Sequence, residues 1–374
     1  MNSMAQAGSV ATDGAPFAEA SGGADPVPDT RKPGAGTAGH IQPLDGLRGV
    51  AALSVLLHHA WVGNSHGWML VDFFFCLSGF VIAKAYERKL GAGLPLWRYM
   101  GLRLLRIYPM LFIGGVIGLL FWRSAEGSAL LLQMSTATFA LVYIAHCLFV
   151  PFVAQKHAFP FNVSQWSIFY ELLANLIHAL LVPVLSKRVL IGIVALSGLY
   201  MVVATLMIGT MNWGFERDHI EVGLARTAYS FFLGVFLFRI QDRLIRRLPS
   251  VGFWWLAAVI LVLASIPSLV RPFPVIESLR QIVTVLAVNP AIVALGLTCP
   301  TRGTLIRWLG VLSFPLYAIH APLVFYAHAL MEAKFSGLML KAAMLGWCVP
   351  IALAALLLGI YVDLPLNRLR RKVA

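Results

Sequence analysis

The 374-residue sequence predicts an all-α, polytopic integral membrane protein with about ten transmembrane helices and one re-entrant or interfacial segment. Three observations predict it. Hydrophobic residues make up 59% of the chain and charged residues 12%, with a mean hydropathy of +0.80, more apolar material than a soluble core buries. The apolar residues fall in runs near the length that crosses a hydrocarbon core as a helix. The basic residues cluster in short loops between those runs, as the positive-inside rule requires. This placement accounts for the formal charge of +13 and argues against nucleic acid, whose recognition needs a basic, interleaved surface.

Residues 1–43 are mainly Ala, Gly, Pro, Ser and Asp, and are expected to form a disordered cytoplasmic tail rather than a secretory signal. A transmembrane domain is expected over 44–365 and a short basic cytoplasmic C-terminus over 366–374. Hydropathy places segments near 45–62, 67–86, 107–123, 128–150, 167–186, 189–209, 222–240, 252–270, 281–298, 308–329 and 338–361. If all eleven crossed, the basic cluster Lys84/Arg88/Lys89/Arg98/Arg103 would lie opposite those at Lys187/Arg188, Arg239/Arg243/Arg246/Arg247, Arg302/Arg307 and Arg368/Arg370/Arg371/Lys372. Making 128–150 re-entrant or interfacial puts every cluster and both termini in the cytoplasm. That segment carries Gln133, Ser135, Thr136, Thr138 and His146 and leads into a loop with Pro151, Pro160 and Asn162. Such backbone is tolerated at membrane depth only where it lines a protein cavity. No internal repeat is evident. Cys76, Cys147, Cys299 and Cys348 stand singly in apolar stretches without metal-ligand spacing, so they are packing residues and no metal site is expected.

Ionisable groups inside spans are costly and mark function or tight pairing. Arg48 and His59 are eleven residues apart in the first span, roughly 1100° of helix rotation and about 16 Å, so they share a face with the cation inside and the imidazole outside. Asp72 lies about one turn into the returning second span, at a depth similar to His59. Arg103 and Arg106 share a face at the start of the third span. Glu171, Asn175 and His178 make a stripe on the fifth segment, and Ser313 and His320 share a face of the ninth span. Each has a structural alternative: Arg103 and Arg106 as snorkelling anchors, Asp72 paired with a nearby cation, Glu171 hydrogen-bonded to His178.

The motifs resemble the membrane-bound acyltransferase 3 family, whose members move acyl groups onto sugars. The resemblance is carried in order by Leu44-Asp-Gly-Leu-Arg-Gly-Val-Ala-Ala with His59, Val71-Asp-Phe-Phe-Phe-Cys-Leu-Ser-Gly-Phe-Val-Ile, Arg103-Leu-Leu-Arg-Ile-Tyr-Pro, Gln165-Trp-Ser-Ile-Phe-Tyr-Glu, Phe231-Phe-Leu-Gly, Leu312-Ser-Phe-Pro-Leu-Tyr-Ala-Ile-His-Ala-Pro and Asp363-Leu-Pro-Leu-Asn-Arg. One departure is Asp363, where the family pattern suggests Glu. The resemblance runs from about residue 44 to 370 and implies ten spans and an O-acyltransferase of a cell-surface or exported carbohydrate.

With that reading, cytoplasmic acyl-CoA, most simply acetyl-CoA, is the donor substrate and no cofactor is tightly bound. Its phosphates need cations at the inner mouth, a role for Arg48, Arg103 and Arg106. His59 is the candidate general base for the acceptor hydroxyl, with Asp72 at matching depth to orient it and direct attack or an acyl-histidine both open. Glu171 joins them among the catalytic candidates. Trp166, Ser313 and His320 fall on the acceptor side. The expected partners are the lipid bilayer, acyl-CoA and a carbohydrate such as lipopolysaccharide O-antigen, in a bacterial inner membrane. From the residues alone, a proton-coupled transporter or flippase of a lipid-linked sugar fits nearly as well, and a scaffold would need these groups only for packing.

Overall fold

The computed structural model of the chain describes residues 41–63, 66–122, 135–153, 158–267 and 274–373. The expected tail lies outside them up to residue 40, as does Gln133. Every regular element among the described residues is helical: α1 (Gln42–His59), α2 (Gly67–Gly91), α3 (Leu96–Trp122), α4 (Thr136–Cys147), α5 (Gln165–Leu181), α6 (Lys187–Ile208), α7 (Ile220–Arg239), α8 (Gln241–Arg247), α9 (Phe253–Ser265), α10 (Pro274–Gly296), α11 (Thr304–Glu332) and α12 (Gly337–Leu369).

Seven of these, α2, α3, α6, α7, α10, α11 and α12, are long and apolar enough to cross a bilayer. The remaining long helices, α1 and α5, have 18 and 17 residues and carry charge. By contrast α4 and α9, with 12 and 13 residues, rise only about 18–20 Å, less than a hydrocarbon core of about 30 Å.

Local sequence explains the boundaries. Pro43 occupies the first turn of α1, where its missing N–H costs no bond, and Asp45 beside it complements the helix dipole. Ser186 caps α6 by accepting from Val189 N–H, and Gly209 ends it in a left-handed conformation at φ +86°.

Helix directions follow from the contacts. Gln42 Nε2 donates to Gly303 O at 2.8 Å, Arg48 meets Ser313 and His59 meets His320, so α1 and α11 run parallel. Asp72 meets Arg226 and Glu87 meets Arg239, so α2 and α7 are parallel too. At one end of the bundle lie residues 42, 87, 185, 239, 250, 298 and 303, joined by hydrogen bonds, and there the basic loops collect. At the other end His66 N–H donates to Ala264 O, His66 faces Glu277, and Met211 N–H donates to Gln281.

α2 is the central helix. Its apolar window is 72% buried, against 28% for α6 and for α12, which stand at the outside of the bundle. Its seam with α7 depends on absent side chains. A Cβ on Gly79 would stand 1.9 Å from Phe231 O, and one on Gly234 1.9 Å from Cys76 O. Because both obstacles are backbone, neither can yield. Gly79→Val or Gly234→Val is therefore expected to cost about 3 kcal/mol or more, lowering detergent-extracted abundance and thermal midpoint. Wild-type melting of either variant would contradict the seam.

Candidate functional site

The site is built on the α1/α11 seam and the helices beside it. Small residues let the two backbones approach: a Cβ on Gly49 would lie 2.2 Å from Leu309 O, and one on Gly310 3.0 Å from the Asp45 side chain. Toward the basic end, Arg48 Nε donates to Ser313 Oγ at 2.8 Å, and Ser313 passes its own hydrogen to Gly310 O at 2.8 Å. Asp45 lies 3.5 Å from the same guanidinium, and the Arg48 side chain keeps 30% exposure. A cation is held in place without being sealed off.

One residue along α11, the Arg106 guanidinium lies 4.6 Å from the Phe314 ring centroid, and Arg106 is paired with Asp363, whose second oxygen accepts from Asn367 at 2.9 Å. Asp363 sits in the π-helical turn Gly359–Asp363 within α12, a local widening frequent at functional positions. One turn earlier on α3, Arg103 Nη2 donates to Glu171 Oε1 at 3.1 Å, and Ser78 Oγ donates to the same oxygen at 2.7 Å. Arg48 from α1 and Arg106 from α3 thus flank one turn of α11, each with a carboxylate partner that an incoming polyanion would have to displace or share.

Toward the other end, the ring centroids of His59 and His320 are 5.0 Å apart, and His320 Nε2 lies 3.2 Å from His59 Nδ1. His320 Nδ1 faces the carbonyls of Leu316 (3.1 Å) and Tyr317 (2.9 Å). Carbonyls only accept, so Nδ1 of His320 carries the hydrogen and its Nε2 offers a lone pair to His59. His59 Nδ1 also faces a carbonyl, that of Val55 at 3.0 Å, so it too carries the hydrogen. The lone pair of neutral His59 is left on Nε2.

Pro322 fixes this part of α11. It has no N–H for Ala318 O, four residues back, and Asn162 Nδ2 fills that vacancy at 2.7 Å. The 158–164 loop is thereby tied to the turn that carries His320. Tyr317 is hydrogen-bonded to Ser167 (2.5 Å) on the same side.

The contacts divide the expected residues. His59 meets His320, Arg48 meets Ser313 and Arg106 lies over the neighbouring Phe314, whereas Arg103 is tied to Glu171 on α5 and does not meet that turn. Asp72 is not brought to His59: it lies fully buried against Arg226, with Nη2–Oδ2 at 2.6 Å and Nε–Oδ2 at 3.2 Å. The position that an orienting acid was expected to fill is held by His320. Trp166 is buried, packed on Phe75 and Tyr170, with its ring 5.3 Å from the Arg226 guanidinium. Glu171 pairs with Arg103 rather than His178, which sits among Phe231 and Phe232. Sequence reasoning passed over Arg226, although it is a lone cation in an apolar run, the signature of a buried partner for a lone acid.

Comparison with known proteins gives three findings. A family model described as "Acyltransferase domain" matches residues 41–363. A Rhizobium radiobacter protein described as protein 2 in the picA locus is 31% identical over 176 residues, covering 43% of this chain and 92% of that protein. No solved structure matches the chain.

Proposed function

The chain belongs to the acyltransferase 3 family and is a membrane acyltransferase, and from that premise we propose that it moves an acyl group, most simply acetyl, from cytoplasmic acyl-CoA to a hydroxyl of a surface or exported carbohydrate. The observation that carries this reading is the α1/α11 seam, which holds a partly exposed cation toward the basic end and a pair of imidazoles toward the other.

We place the basic end in the cytoplasm, with α1 and α11 running outward and α2 and α7 inward. This fits ten spans with both termini inside, α9 counting as one because its first residue meets Thr301 at the basic end and Ala264 meets His66 at the other, and with α4 as the re-entrant or interfacial element. It also fits a bacterial inner membrane.

The donor's phosphates would lie among Arg48, Arg103 and Arg106, whose planar guanidiniums fork onto phosphate oxygens. At the other end, His59 Nε2 accepts the proton of the acceptor hydroxyl as its oxygen attacks the thioester carbonyl carbon. The new C–O bond forms, the C–S bond breaks, and the proton passes on to the coenzyme A thiolate. The charge that develops on His59 is met at Nδ1 by the Val55 carbonyl and the His320 lone pair, so His320 is the positioning residue. No acyl-enzyme is required.

Membranes containing the chain, given acetyl-CoA labelled in the acetyl group, are expected to transfer label into their glycan fraction above membranes lacking it. Absence of transfer would remove acetyl-CoA as donor and favour the flippase reading. Arg48→Ala is expected to raise KM for the donor about 10- to 100-fold, the worth of one charge-assisted hydrogen bond. Arg48→Lys should recover only part, because an ammonium cannot fork. An unchanged donor KM would contradict the assignment of Arg48.

A further inference from the structure

We propose that Trp61 is an acceptor subsite, a platform on which a sugar ring of the carbohydrate stacks beside His59. This rests on the acyl transfer proposed above for the identity of the ligand, while its geometry stands apart from it.

α1 ends at His59 in a Schellman motif. Trp61 N–H donates to His58 O at 3.1 Å and Val62 N–H to Leu57 O at 3.1 Å, which makes Trp61 the residue where the chain turns left-handed, at φ +53°. Glycine normally stands there because a Cβ is disfavoured. The fold keeps a tryptophan instead, and a strained residue at the edge of a site calls for a functional reason.

Packing does not supply that reason. α4 ends the same way, with Phe149 N–H on His146 O, Val150 N–H on Ala145 O and Phe149 at φ +61°. Phe149, however, is 8% exposed and belongs to the core, whereas Trp61 is 51% exposed. The indole stands between Phe325 and a polar neighbour, His328. It lies 4.4 Å from the His328 ring, and His328 Nδ1 is 3.2 Å from Glu332 Oε2, on a carboxylate side chain that is 57% exposed.

The platform is continuous with the base. Phe325 lies 6.1 Å from His59 and 6.0 Å from Trp61, so the rings of His59, Phe325, Trp61 and His328 run in sequence along the outer end of α11. A pyranose laid on the indole would present its C–H face to the ring and its hydroxyls to the Glu332 carboxylate. Its neighbouring unit would then stand at His59. An indole that served only as a lipid anchor would need neither the carboxylate nor the link to His59.

The test uses the full chain in detergent and methyl glycosides of glucose, galactose, mannose, rhamnose and N-acetylglucosamine, observed by saturation-transfer NMR. At least one glycoside should receive saturation at its ring C–H protons from the wild type. That signal should fall at least about threefold in Trp61→Gly and return in Trp61→Phe. Trp61→Gly should also melt at or above the wild-type temperature, because glycine suits the left-handed turn, so lost binding cannot be put down to misfolding. Saturation of no glycoside by the wild type, or equal saturation by wild type and Trp61→Gly, overturns the platform. If equal saturation comes with reduced quenching of the variant's tryptophan emission by brominated lipid, Trp61 is a bilayer anchor. Failure of label transfer from acetyl-CoA with this sugar signal intact would instead remove the donor reading and leave the platform standing.

Discussion

His59→Ala is expected to lower the turnover number of acyl transfer by about 10²- to 10⁴-fold, the usual contribution of a positioned general base, at nearly wild-type abundance of folded protein. The side chain is only partly buried at the end of α1, and its loss leaves no buried charge behind. His320→Ala should also lower turnover, by a smaller factor and with KM for the donor unchanged, since His320 acts through His59. The double variant should be no slower than His59→Ala alone, because an orienting group has nothing to orient once the base is gone. Turnover is read as initial label transfer per folded molecule. Wild-type turnover by His59→Ala would end the assignment of the base. Loss of folded protein without loss of specific activity would make the pair a packing element.

The second large effect concerns stability. Asp72→Ala would leave Arg226 charged at 0% side-chain exposure with its carboxylate gone, and breaking a buried pair by removing one partner costs about 3–5 kcal/mol. Against a total stability of about 5–15 kcal/mol, that is enough to deplete the folded protein, seen as low abundance and a depressed thermal midpoint. Arg226→Met should behave alike. The paired variant Asp72→Leu/Arg226→Met should recover much of the loss, since a buried ion pair can give way to apolar residues of similar volume. Full abundance of Asp72→Ala combined with abolished transfer would return Asp72 to the chemistry.

Much of this arrangement was legible in the sequence, and the part that was not has a physical cause. The all-helical membrane architecture follows from composition and run length. The helical repeat also put Arg48 with His59 on one face and Ser313 with His320 on another. What periodicity cannot say is which faces meet, and these two faces form one seam across 261 to 265 residues of chain. Depth alone suggested Asp72 as the partner of His59, because depth fixes height in the membrane but not direction around the helix. Boundaries slipped where polar residues were already matched. The third span was expected from 107, yet α3 starts at Leu96, since Arg103 and Arg106 are neutralised by Glu171 and Asp363 on other helices. Trp61 carries no signal of its own in the sequence, where a lone tryptophan near a span end is also what an interfacial anchor looks like and a left-handed backbone leaves no trace.

The separation of partners along the chain also has a consequence for synthesis. Asp72 must wait 154 residues for Arg226, and Arg48 must wait 265 for Ser313. At about 5–20 residues per second, these intervals are about 8–30 s and about 13–50 s. During them a carboxylate and a guanidinium have left the ribosome without their final partners. The first helices can complete their packing only when the eleventh arrives, so assembly of the site is a late event in biogenesis, and nascent chains cut short before Thr304 carry the base and the cation but not the seam that holds them.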